Sequence, residues 1–146
     1  MLVVALMAAS SFGVYRAAYD GRFRGTRSVR AADPDESSAP EWGPSVLEGS
    51  RFVHELGERA TLLQFSSAFC APCRATRRIL GDVAEVVPGV VHLEVDAEQH
   101  LELVRRLGIL RTPTTLILDR NGAEVSRASG APRKEQVLAT LADVLG

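Results

Sequence analysis

Between Val46 and Leu145 the apolar residues keep changing period, and this alternation constrains the fold more than any other feature. Thr61 to Phe65 (TLLQF) is a short apolar run of strand length. Arg74 to Val87 carries Ile79, Leu80, Val83, Ala84 and Val87 at helical spacing and is closed by Pro88-Gly89. Val90 to Val95 (VVHLEV) is rich in β-branched residues. Glu98 to Leu107 returns to a helical period, with Gly108 as its stop. Thr114 to Leu118 is a strand, Asn121-Gly122 signals a hairpin turn, and Ala123 to Ala128 is the return strand. Pro132 to Leu145 ends the chain in a helix, and a short helix is expected at Ser50 to Leu56. The order β-α-β-α-β-β-α begins with a parallel, right-handed crossover unit, and the hairpin adds an antiparallel edge. The chain is thus expected to form a three-layer α/β domain over residues 46–146, a central mixed sheet flanked by helices.

The remaining residues divide by charge. The 146-residue chain has a formal net charge of −1, which excludes a global field for nucleic acid, and no nucleic-acid partner is expected. Residues 1–30 carry Arg16, Arg22, Arg24, Arg27 and Arg30 against Asp20, whereas residues 31–45 carry four carboxylates and no base. That second stretch (AADPDESSAPEWGPS) lacks an apolar period, so residues 20–45 read as a linker, with Trp42 packing on the domain edge. Met1 to Tyr15 contains no charged side chain. Continued through Ala17, Ala18 and Tyr19, it reads as an uncleaved membrane anchor over residues 1–19 rather than a signal peptide, since no basic residue precedes it. The arginines that follow would hold the domain on the cytoplasmic side. A start site placed too far downstream and an ordinary soluble-domain helix are the competing readings.

Only two cysteines occur, Cys70 and Cys73, which excludes a disulfide-stapled scaffold and a four-thiolate zinc site within one chain. They flank Ala71-Pro72 where the first strand gives way to the long helix. Unpaired backbone N–H groups and the helix dipole there favour a thiolate, and Arg74 adds positive charge. A redox pair is the leading reading. Half of a metal site and an inert structural disulfide remain open, although His54, His92 and His100 lack the usual zinc spacing.

The order strand, Phe69-Cys70-Ala71-Pro72-Cys73, long helix, Thr112-Pro113, hairpin and Gly130 resembles the thioredoxin family across the whole domain. The resemblance implies a thioredoxin fold, a cis Pro113 facing the cysteines, and a shallow substrate surface on Phe69, Ala71, Pro72, Thr112, Pro113, Gly130 and Ala131. Thr112 would offer backbone hydrogen bonds to an extended substrate. It also implies thiol–disulfide exchange in which Cys70 attacks and Cys73 resolves, with the two closing a disulfide, no cofactor or metal, disulfide-containing protein substrates, and a reductase as electron donor.

Departures from the family pattern matter as well. Phe69 stands for the usual Trp and Ala71 for Gly, so the reduction potential is open. Arg78 stands for a helix-kinking Pro, so a straighter helix is expected. Gln64 stands where the family has a buried Asp, and an amide has no proton to exchange near neutral pH. His92 is then the candidate base for Cys73, unless Gln64 and His92 merely bond each other in the core. Two rival functions stay in view: an extracytoplasmic thiol oxidant or isomerase of the same fold, and a membrane-tethered redox sensor or binding module without turnover.

Overall fold

The computed structural model describes residues 2–25 and 44–146. Helix α1 (Leu2–Tyr19) is followed by a two-residue strand β1 (Arg24–Gly25). A 3-10 helix (Arg51–Glu55) falls where the short helix is expected. Then come β2 (Ala60–Ser66), α2 (Ala71–Val86), β3 (Val90–Asp96), α3 (Leu101–Arg106), β4 (Thr114–Asp119), β5 (Glu124–Ser129) and α4 (Lys134–Leu145). The sheet runs β1-β5-β4-β2-β3. Strands β2 and β3 are parallel and the other pairs antiparallel. This is the thioredoxin fold that the family resemblance implies.

Strand β2 is buried along its whole length, and its alternation sorts the core. Leu63 and Phe65 face one side, where Phe52, Leu93, Leu103 and Leu116 join them. Ala60 and Leu62 face the other, against Leu80, Val83, Val137 and Leu141 from α2 and α4. That second row continues as Gln64 and Ser66, so it turns from apolar to polar at the end where the chain enters α2. The period of two places this polar pair under the helix start.

Local chemistry sets the boundaries. Pro72 lies in the first turn of α2, where its missing N–H would be unpaired anyway. The helix then runs unbroken for 16 residues, with Arg78 inside it. In the β4–β5 hairpin, the buried Asp119 accepts through Oδ1 from the N–H groups of Asn121 and Ala123, at 2.8 and 3.0 Å. Gly122 supplies the positive φ of 81° that the turn requires.

The N-terminal third departs from expectation in two ways. The single-helix membrane anchor, and with it the membrane partner and the cytoplasmic placement argued from a span, is corrected. Among the described residues no helix is long and apolar enough to cross a membrane. The 18 residues of α1 reach only about 27 Å at about 1.5 Å each, short of a hydrocarbon core of about 30 Å. Within that length lie Ser10, Ser11, Gly13 and Arg16. The second concerns residues 20–25, expected as the start of a linker. They lie along the sheet edge: β1 pairs with β5, and the Gly21 N–H donates to the Ser129 carbonyl at 2.7 Å. The packing expected of Trp42 falls outside the described residues.

Because Leu62 is fully buried between the sheet and its two helices, Leu62→Ala should lower the unfolding free energy by about 2–5 kcal/mol. Leu110→Ala, at a side chain 96% exposed, should change it by less than about 0.5 kcal/mol. Urea denaturation of both variants checks the pair.

Candidate functional site

Cys70 and Cys73 form a disulfide at a Cα–Cα distance of 5.2 Å. Cys70 is the N-cap of α2, and its sulfur accepts from the Cys73 N–H at 3.2 Å. Helix position explains this contact: an N-cap side chain faces the unpaired donors of the first turn. Cys70 is half-buried and Cys73 buried, so the first cysteine is the more accessible of the two. Phe69 precedes them with a φ of 58°, which an aromatic residue seldom adopts. Its side chain stands fully in solvent. Ala71 and Pro72 are exposed beside it.

A second loop frames the pair. The Thr112–Pro113 peptide bond is cis, and Pro113 is buried while Thr112 is half-exposed. Three hydrogen bonds hold the loop. The Ser67 and Thr112 hydroxyls pair at 2.8 Å, the Gly130 N–H donates to the Pro113 carbonyl at 2.8 Å, and the Thr114 hydroxyl donates to the Arg111 carbonyl at 2.7 Å. The structure also covers part of the expected substrate surface. A Cβ on Gly130 would lie 2.9 Å from the Asp20 carboxylate, and one on Gly21 would lie 2.1 Å from the Ala131 carbonyl oxygen. The N-terminal segment therefore abuts Gly130 and Ala131.

Beneath the disulfide the polar residues form a directed network. The Gln64 amide donates to the Ser66 hydroxyl at 2.8 Å and to the Cys73 carbonyl at 3.0 Å. Both amide hydrogens are then used, so Oε1 must accept, and the His92 Nε2–H that lies 3.0 Å away is its donor. This is the mutual bonding of Gln64 and His92 that the sequence left open. Arg77 clamps Glu94 bidentately at 2.6 and 2.8 Å. Burial pushes the His92 imidazole below its ordinary value. The Glu94 carboxylate partly offsets that, and the Arg77 charge adds to it. Burial works against ionised Glu94, but hydrogen bonds from Arg77 and Ser66 and the charges of Arg77 and His92 outweigh it and lower its pKa. Among the described residues, no group of three or more His, Cys, Asp or Glu could hold a metal ion.

Sequence reasoning singled out Cys70, Cys73, Gln64, His92 and the Thr112-Pro113 loop, and the structure gathers them at one end of the sheet. It missed Ser66, Ser67, Glu94 and Arg77. The strand period did hold a signal for Glu94 and Ser66: both lie two positions beyond a residue already chosen, on the same face.

Comparison with known proteins agrees with this geometry. The family model described as thioredoxin matches residues 44–143. A thioredoxin of Alicyclobacillus acidocaldarius is 36% identical over 90 residues, covering 61% of this chain and 85% of its own. The solved thioredoxin of Fasciola hepatica superposes with a TM-score of 0.55 at 26% identity, over 64% of this chain and 88% of that one. Thioredoxin f of spinach chloroplast gives a TM-score of 0.58 at 24% identity, over 70% and 90%.

The lowered pKa of His92 predicts a pH dependence of stability. The unfolded imidazole takes up its proton near pH 6.5, before the folded one does. The His92 contribution is therefore complete above that pH and declines as pH falls through 6.5 toward the lower folded value. Urea unfolding from pH 7.5 to 5.5 should show this decline, and His92→Gln should flatten it. Equal slopes in the two proteins would contradict the assignment.

Proposed function

The chain belongs to the thioredoxin family, whose model spans residues 44–143, and on that premise we propose that it reduces protein disulfides by exchange through Cys70 and Cys73. The observation that carries this reading is the Cys73 N–H aimed at the Cys70 sulfur at 3.2 Å, at the start of a 16-residue helix. A donor and a helix dipole at that sulfur stabilise the thiolate, which is the attacking species.

In the reductive direction the Cys70 thiolate attacks one sulfur of a substrate disulfide. The Cys70–substrate bond forms, the substrate S–S bond breaks, and its other sulfur leaves as a thiolate that takes a proton from water. Cys73 then loses its proton and attacks the Cys70 sulfur. The Cys70–Cys73 bond closes, the second substrate thiolate departs, and two electrons have passed to the substrate. An external reductase restores the dithiol. Phe69, Ala71, Pro72 and Thr112 offer the open, largely apolar flank on which a substrate strand would lie. Pro113, buried beneath that flank, and Gly130, bonded to its carbonyl, would shape the flank from below. Ala131, at its far edge, would meet a longer substrate only beside Asp20 and Gly21.

Gln64 and His92 are positioning residues in this scheme. Gln64 holds the Cys73 carbonyl, and His92 spends its Nε2 proton on Gln64. Neither offers a base to Cys73 in that arrangement, so its proton must leave through solvent. This same observation favours a second reading, in which exchange begins but stalls at the mixed disulfide and the domain acts as a redox sensor.

Steady-state reduction of insulin with dithiothreitol as electron source separates the two. A turning-over reductase gives continuous insulin reduction, abolished in Cys70→Ser, while Cys73→Ser accumulates a mixed disulfide. A sensor gives one equivalent and stops. Direction is read by equilibrating the pair against glutathione. A potential near about −270 mV marks a reductant, and one above about −180 mV marks a donor of disulfides and overturns the reductive reading.

A further inference from the structure

Residues 20–25 form a short strap that leaves α1, passes beside Gly130 at one end of the cysteine face and joins the sheet as β1. The Gly21 N–H donates to the Ser129 carbonyl at 2.7 Å, and Arg111 pairs with Asp20 while donating to the same carbonyl at 3.0 Å. Both lone pairs of the Ser129 carbonyl are thereby used. Further along, Phe23 packs against the apolar cluster that holds Leu62, Val137 and Leu141, and the Ser126 hydroxyl donates to the Arg24 carbonyl at 3.1 Å. Backbone bonds, an ion pair and an apolar anchor act together, so the strap is fixed to the domain.

The contact with Gly130 and Ala131 is closer than covering a sheet edge requires. Gly130 is buried, and a Cβ there would meet the Asp20 carboxylate at 2.9 Å. Gly21 is buried as well, at a φ of 73°, and its Cβ would lie 2.1 Å from the Ala131 carbonyl oxygen. Glycine on both sides of the contact is what lets the two segments approach so closely. By contrast Gly25, within the β1–β5 pair itself, has open space where a Cβ would point. Pairing with β5 is therefore separable from the close contact that precedes it in the strap.

We infer that Asp20 and Gly21 determine specificity: they wall off the Gly130–Ala131 end of the exchange groove, so the domain favours small disulfides over those set in broad protein surfaces. This rests on the reading of Phe69, Thr112 and Gly130 as the substrate surface. An extended strand lying on Thr112 gains no bond from the Ser129 carbonyl, whose lone pairs are taken, and meets Asp20 where it reaches Gly130. The open side is that of Phe69, Ala71 and Pro72, all exposed. A small disulfide reaches Cys70 from that side without touching the wall.

Rapid-quench kinetics on the reduced full chain test this, with 2-hydroxyethyl disulfide as a small uncharged substrate and insulin as a protein substrate. Gly21→Val drives a Cβ into the Ala131 carbonyl and displaces the strap. The second-order rate for insulin, taken relative to that for the small disulfide, should then rise about threefold or more. Asp20→Ala takes the carboxylate off Gly130 without altering the backbone and should raise the same ratio by a smaller factor. Gly25→Val, in the same strap but clear of the groove, should leave the ratio within about 1.5-fold of wild type. Unchanged ratios in Gly21→Val and Asp20→Ala, or in Asp20→Ala alone where Gly21→Val does not fold, overturn the wall and leave the exchange reading intact. An equal rise in Gly25→Val also overturns it, since that would mark a general loosening of the edge. A wild-type chain that reduces neither substrate overturns the exchange reading itself, and the wall with it.

Discussion

A buried amide has four hydrogen-bonding positions to satisfy, and the way Gln64 satisfies its own determines how the cysteine helix sits on the sheet. One of its hydrogens goes to Ser66 in the same strand and the other to the Cys73 carbonyl in α2. Sheet and helix are thereby tied at the first turn, where Cys70 must present its sulfur to the Cys73 N–H. The tie also gives the network a direction. His92 donates to Gln64 and Gln64 to Ser66, while Arg77 of α2 clamps Glu94 on the neighbouring strand. Removing one acceptor from such a chain strands a buried donor, which costs about 1–3 kcal/mol. The disulfide therefore rests on a floor in which Gln64 joins strand to helix. Ionised Glu94 is paired to Arg77, and burial favours the neutral form of His92.

That floor explains what could and could not be read from the residues. Leu62 and Phe65 lie in a run whose apolar character is itself the strand signal, and Asn121-Gly122 announces its turn through backbone chemistry that needs no partner. Cys70 and Cys73 are three positions apart, so their pairing is local. Arg77 and Glu94, by contrast, are 17 positions apart, and Ser67 and Thr112 are 45. No local pattern fixes such a contact, which exists only once the right-handed crossover has laid α2 over β3. The choice between Gln64–His92 bonding and His92 as a free base was of the same kind, since it depended on which way an amide points.

The N-terminal residues misled for a related reason. Apolar composition in Leu2–Tyr19 suggested a span, but crossing a bilayer requires sustained apolar length, and Ser10, Ser11, Gly13 and Arg16 interrupt it. Arginines after an apolar run then read as the charges that orient such a span. A strand of two residues has no period to detect, so nothing in Arg24-Gly25 announced that it would join the sheet. Its location follows from tertiary demands: β5 would otherwise leave an edge of unpaired backbone groups, which proteins generally cover.

Covering an edge requires only that the cover be anchored. Here three bonds anchor the segment: Asp20 to Arg111, the Gly21 N–H to the Ser129 carbonyl, and the Ser126 hydroxyl to the Arg24 carbonyl. The anchors that hold this segment are also the residues bordering the cysteine face. Arg111 leads into Thr112-Pro113, and Asp20 lies against Gly130, whose N–H holds the Pro113 carbonyl. The sheet edge and the exchange site thus share two loops, those of Arg111 and Gly130, and whatever fixes those loops for one fixes them for the other.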